Sequence, residues 1–156
     1  LIRVSISGHI HDEARVVSAK FYLTPAGGLA LLRNRISEQL DITNKWAEEN
    51  DAFIGHVKAY IQWGENEAIM LSTTGDGTEA KGSDIPAKAP NIADIGITAI
   101  IFGIELEAVI DRLKGLAAAV VGQYMEYCVY EHIHEHEHKH GDDSHEQGHK
   151  YVHEHY

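Results

Sequence analysis

The run from Ile95 to Phe102, Ile-Gly-Ile-Thr-Ala-Ile-Ile-Phe, constrains the fold more than any other stretch of the chain. It is apolar and largely β-branched, a composition that suits a pleated surface better than a helix. Even extended to Ile104 it falls far short of the roughly 20 residues that cross a bilayer. It therefore reads as a central strand, buried on both faces of a sheet. Such a strand needs flanking strands and a covering layer, and the rest of the chain offers both.

Ile2, Val4 and Ile6 alternate with Arg3, Ser5 and Ser7, the period of a strand covered on one side, and Gly8 closes the run. Val17, Ala19, Phe21 and Leu23 alternate again; a second strand is preferred there over a helix starting at Asp12. After the break at Thr24-Pro25-Ala26-Gly27-Gly28, Leu29, Leu32, Ile36, Leu40 and Trp46 recur at helical spacing. Val57, Ala59, Ile61 and Trp63, then Gly64-Glu65-Asn66, then Ala68 to Thr74 read as a hairpin. Gly75 to Asn91, with three glycines and two prolines, reads as a long loop. From Glu105, the positions Leu106, Val109, Ile110, Leu113, Leu116, Ala117, Val120 and Tyr124 mark a second amphipathic helix that carries the chain into its last segment. Its small residues, Gly115, Ala117, Ala118, Ala119 and Gly122, read as a surface packed on the first helix, in preference to a contact between copies of the chain.

The element order predicts an α+β fold, a small two-layer sandwich with a mainly antiparallel sheet and two amphipathic helices on one face. Ferredoxin-like topology is one candidate. At 156 residues and 44% apolar content, one core is expected: a domain over residues 1–130 and a histidine-rich tail over 131–156. The net charge of -11 is spread over both parts and forms no basic footprint for nucleic acid, and no apolar run is long enough for a membrane span. The single cysteine, Cys128, leaves the fold dependent on packing, which suits a reducing compartment; a cytoplasmic location is the expectation.

Nine of the 12 histidines lie in the tail. His132, His134, His136, His138 and His140 occupy alternate positions. In an extended chain they share one side at about 6.8 Å intervals, and in a helix His132, His136 and His140 share a face; either arrangement offers chelating pairs. His145, His149 and His153 recur every fourth residue after a candidate helix start at Ser144, with His155 alongside. Neutral imidazoles interleaved with carboxylates favour Ni²⁺ or Zn²⁺, with Cu²⁺ and Co²⁺ also suited, over soft Cu⁺ and hard Ca²⁺ or Mg²⁺. A solvated low-complexity segment and a pH-responsive segment are the competing readings. In composition the last 25 or so residues resemble the histidine-rich extensions of nickel metallochaperones, such as urease accessory and hydrogenase maturation proteins, and of zinc-transport binding proteins. That resemblance implies storage or delivery of Ni²⁺ or Zn²⁺.

In the body, His9 and His11 flank Ile10 in Gly-His-Ile-His-Asp-Glu. A His-x-His pair at a strand end can begin a zinc site, with His56, Asp12, Glu13 or Asp94 as the candidate third ligand; an exposed polar turn is the plainer reading. Thr73-Thr74-Gly75-Asp76-Gly77-Thr78 lacks the Gly-Lys-Ser/Thr ending of a phosphate loop and reads as a flexible connection. Cys128 reads as a small buried residue near the end of the second helix. The leading expectation is a non-enzymatic metal-binding protein, a store or carrier, with metal ions, a metal-receiving protein and further copies of itself as partners. The alternatives are a small metal-dependent enzyme at His9 and His11, or an oligomeric module that binds a protein or a ligand, the tail being peripheral.

Overall fold

In a computed structural model, residues 1–122, 125–133 and 148–155 are described, with 132–133 and 148–155 described by backbone alone. The strands are β1 (Ile2–His11), β2 (Ala14–Leu23), β3 (Phe53–Gly64), β4 (Glu67–Thr73), β5 (Glu79–Gly82), β6 (Ala93–Phe102), β7 (Met125–Ile133) and β8 (Gly148–His155). The helices are α1 (Leu29–Glu49) and α2 (Leu106–Val121). The strands form a single sheet in the order β5-β4-β3-β6-β2-β1-β7-β8. Every neighbouring pair is antiparallel except β1 and β7, which run parallel.

Both helices lie on one face of the sheet, as the sequence predicts for an α+β sandwich. β2, α1 and β3, with β6 between the two strands, form the split β-α-β unit of ferredoxin-like folds. The order then departs from that fold, because β1 is interposed between β2 and β7. Among the described residues, no helix is long and apolar enough to cross a membrane.

The core lies between the sheet and the helices. Val4 and Ile6 of β1, Val17, Ala19 and Phe21 of β2, and Ile95, Ile97, Ala99 and Ile101 of β6 are buried on the helix side. Opposite them stand Leu32, Ile36 and Leu40 of α1 and Val109, Leu113, Leu116 and Val120 of α2. Glycine allows the closest approach: a Cβ on Gly8 would come within 3.1 Å of Ile110 Cδ1 and 3.4 Å of Leu106 Cδ1, so α2 rests almost on the backbone of β1. The helices are joined to each other by Arg112, whose Nη2 donates to Gln39 Oε1 at 3.0 Å.

Several local expectations change. β6 is fully covered only on the helix side; on the other face Asp94, Thr98, Ile100 and Phe102 are half-buried, because a single layer of helices leaves that face to cover itself. The 75–91 segment contains β5, four exposed residues that join the sheet through backbone pairing with β4. α2 stops at Val121, where Gly122 takes the left-handed conformation at φ 65° and its N–H returns to Ala118 O at 2.9 Å. Of the small residues on α2, Ala117 is buried in the core, whereas Gly115, Ala118 and Ala119 are exposed, so this run is not the contact with α1. The chain then returns as β7, and the 148–155 segment is a strand where the four-residue histidine spacing suggests a helix.

Candidate metal centre

Strand alternation decides which face each candidate occupies. In β1, Val4, Ile6 and Gly8 meet the helices, so Ser5, Ser7, His9 and His11 belong to the opposite, open face. In β7, Met125, Tyr127 and Val129 are buried on the helix side, and the Tyr127 hydroxyl donates to Lys114 O on α2 at 3.0 Å. Glu126, Cys128, Tyr130 and His132 therefore take open-face positions.

Register then carries this face across three strands. Arg3, Glu126 and His155 are successive Cα partners, as are Ser5, Cys128 and His153, and Ser7, Tyr130 and Tyr151. The next row is His9, His132 and His149. Neighbouring strands lie about 4.8 Å apart, so these three histidine positions span roughly 10 Å along the hydrogen-bonding direction. His9 is half-buried; His11, two residues further along β1, is exposed, with its Nε2 3.8 Å from Asp12 Oδ2 in the β1–β2 turn.

The other sequence candidates separate. His56 falls in the same row, but Val16 on β2 and Ile100 on β6 stand between it and His9. Burial and then the Lys58 ammonium lower the His56 pKa from its ordinary value. Asp94 pairs with Tyr22 and Gln62, six residues along β6 from Ile100, or roughly 20 Å at the strand rise. It cannot join His9 and His11. Asp12, beside His11, and Glu13 occupy the β1–β2 turn, and among the described side chains no three His, Cys, Asp or Glu residues form a metal-holding group. His134, His136, His138, His140 and His145 lie outside the described residues.

Thr73 and its following loop are tied to α1. The Asn44 amide donates to Thr73 Oγ1 at 3.0 Å, the Gly75 N–H donates to the same oxygen at 3.1 Å, and Thr78 Oγ1 donates to Asp41 Oδ1 at 2.9 Å. These contacts anchor the turn rather than shape an anion cradle. Cys128 sits on β7 rather than on a helix, half-buried on the open face. Sequence reasoning treats the body and tail histidines as separate sets and misses the alignment of His9 with His132. The alternation of Met125, Tyr127 and Val129 just after Gly122 is the one local signal for β7.

No protein-family model matches the chain, and no curated protein matches it. Among solved structures, it is similar to the Zn(II)-bound YjiA GTPase of E. coli, at 13% identity and a TM-score of 0.35, with 67% of this chain and 30% of that one covered. A similarity of the same kind is found with the 43K ATPase domain of Thermus thermophilus gyrase B in complex with an aminocoumarin, at 13% identity and a TM-score of 0.34, covering 80% of this chain and 37% of that one. The chain thus spans about a third of the length of these structures. At such scores neither likeness bears on function.

Proposed function

We propose that this chain is a transition-metal-binding protein that takes up Ni²⁺ or Zn²⁺, with Cu²⁺ and Co²⁺ as chemically adjacent ions. It stores the ion or passes it to a metal-receiving protein, in the cytoplasm, through its histidine-rich C-terminal segment. The observation that carries this reading is the β7–β8 pairing: His132, His149, His153 and His155 occupy register positions on one face of the sheet. Histidines on a paired framework can hold an ion without first ordering their backbone, and the sequence supplies five more histidines at 134, 136, 138, 140 and 145. Imidazole donors without a dominant thiolate set suit exchangeable divalent ions. Binding depends on neutral rings, so release follows acidification.

The test is titration of the full chain with Ni²⁺ and Zn²⁺ by calorimetry, alongside a full-length variant with all nine tail histidines changed to Asn. The variant is expected to lose most of the bound equivalents. Equal stoichiometry in the two proteins would refute the reading.

A further inference from the structure

We propose that the helix-free face of the sheet is the interface of a two-fold dimer, with a second copy of this chain as its occupant. Of the eight large apolar side chains exposed among the described residues, four, Tyr22, Phe53, Met70 and Tyr130, lie on this face, while the others are scattered over Leu1, α1 and the loop before β6. Each of the four is the strand neighbour of a residue buried against the helices, which fixes its side. Between them, Val16 of β2 and Ile100 and Phe102 of β6 are only half-buried, and Phe53 stands 6.3 Å from Phe102 between ring centroids. The six strands from β4 to β7, about 4.8 Å apart and about eight residues long at about 3.3 Å each, present roughly 750 Å². A stable complex buries about 800 Å² per partner, so the face is of the size that one such contact needs.

Charge selects a copy of the same chain. On these six strands Arg3, Lys20 and Lys58 share the face with Asp94 and Glu126, a balance of +1, whereas residues 1–130 as a whole carry -6. Two copies therefore repel one another over the rest of that surface and least through this face. β6 and β2 are the middle pair of the six strands, and their register sets Ile100 against Val16, Thr98 against Ser18, Gly96 against Lys20 and Asp94 against Tyr22. A two-fold axis running between these two strands, and along them, brings each of these residues opposite its own register partner in the other copy, as an isologous interface requires. Apolar then meets apolar and hydroxyl meets hydroxyl. The Asp94 carboxylate meets a phenol that can donate to it, and Lys20 meets a glycine rather than a like charge. On the next strands out, Lys58 meets Ser7 and His56 meets His9. With the histidines neutral, none of these pairs opposes like charges. The interface needs no metal and stands apart from the metal-binding reading.

The experiment is sedimentation equilibrium of the full chain in EDTA, so that ions bridging histidines of different copies contribute nothing. The native chain is expected at twice its 17.3 kDa mass, with a Tm that rises with protein concentration by mass action. Tyr22 is 62% exposed, so Tyr22→Glu spares the core, and in the dimer it sets a carboxylate opposite Asp94 twice. It should raise the dissociation constant at least about 30-fold, as loss of an interface hot spot does. Adding Asp94→Lys should recover the dimer, because opposite charges then meet across the axis. Met70→Glu, also at an exposed position but further from the axis, should weaken association in the same direction, whereas Leu31→Glu on the outer side of α1 should leave it unchanged. Far-UV circular dichroism checks that each variant is folded. A native chain that stays monomeric up to millimolar concentration overturns the interface, whether or not another protein binds the face. So does a dimer unaltered by both Tyr22→Glu and Met70→Glu, or one weakened equally by Leu31→Glu. Failure of Asp94→Lys to recover the Tyr22→Glu dimer overturns the placement of the axis.

Discussion

Gly96 and Tyr60 give a quantitative test of how the open face covers itself. They are register partners on β6 and β3, and a Cβ at Gly96 would overlap the hydroxyl-bearing edge of the Tyr60 ring, 2.7 Å from its oxygen. The ring lies across the glycine, which explains why Gly96 is buried on a face without helices. In Gly96→Ala the ring must swing off, returning about 100 Å² of mostly apolar surface to water, or about 2.5 kcal/mol at roughly 25 cal/mol per Å². Alanine recovers about 0.5–1 kcal/mol over glycine in a strand, leaving a net loss of about 1.5–2 kcal/mol, or roughly 3–8 °C in Tm. With Tyr60→Ala already in place there is no ring to displace, so the same Gly96→Ala should stabilise by about 0.5–1 kcal/mol. The sign of one substitution thus reverses between backgrounds. Urea unfolding of the four proteins of this cycle measures the coupling directly. Equal destabilisation by Gly96→Ala in both backgrounds would refute the covering role of Tyr60.

Two further outcomes follow from single residues. The His56 pKa is lowered from 6.5, so as pH falls the unfolded chain takes up this proton first. Its contribution to stability is therefore lost between pH 6.5 and the lower folded value; the ring titration should have a midpoint below 6.5, and His56→Gln should flatten the fall in unfolding free energy between pH 7.5 and 5.5. Thr73→Val should cost about 1–3 kcal/mol by urea unfolding, because the buried hydroxyl receives both the Asn44 amide and the Gly75 N–H.

What the sequence disclosed was what local periodicity encodes. The alternation in 2–7 and 57–63 and the stripe Leu29-Leu32-Ile36-Leu40 each depend on which side of an element is covered, and each corresponds to the observed burial. β5 carries no such signal, since Glu79, Ala80, Lys81 and Gly82 are all exposed and their pairing is purely backbone. The end of α2 was obscured because Tyr124 continues the helical spacing past Gly122. The row His9-His132-His149 was illegible for a different reason. A parallel pairing between the two ends of a chain leaves no short-range pattern, and one residue of slip would send β7's histidine to the helix face. The histidine residue types were visible, but their register was not.

The parallel contact between β1 and β7 also sets an order of events. β1 can pair with β2 as soon as the first hairpin exists, but its other edge stays open until α2 has crossed the sheet and β7 arrives from the far end of the chain. Such long-range closure is slow and comes late in folding. During synthesis, β1 is therefore on the nascent chain long before the strand that covers its second edge. Closure of this edge completes the sheet between β2 and β7, so an open β1 edge marks a sheet still unfinished.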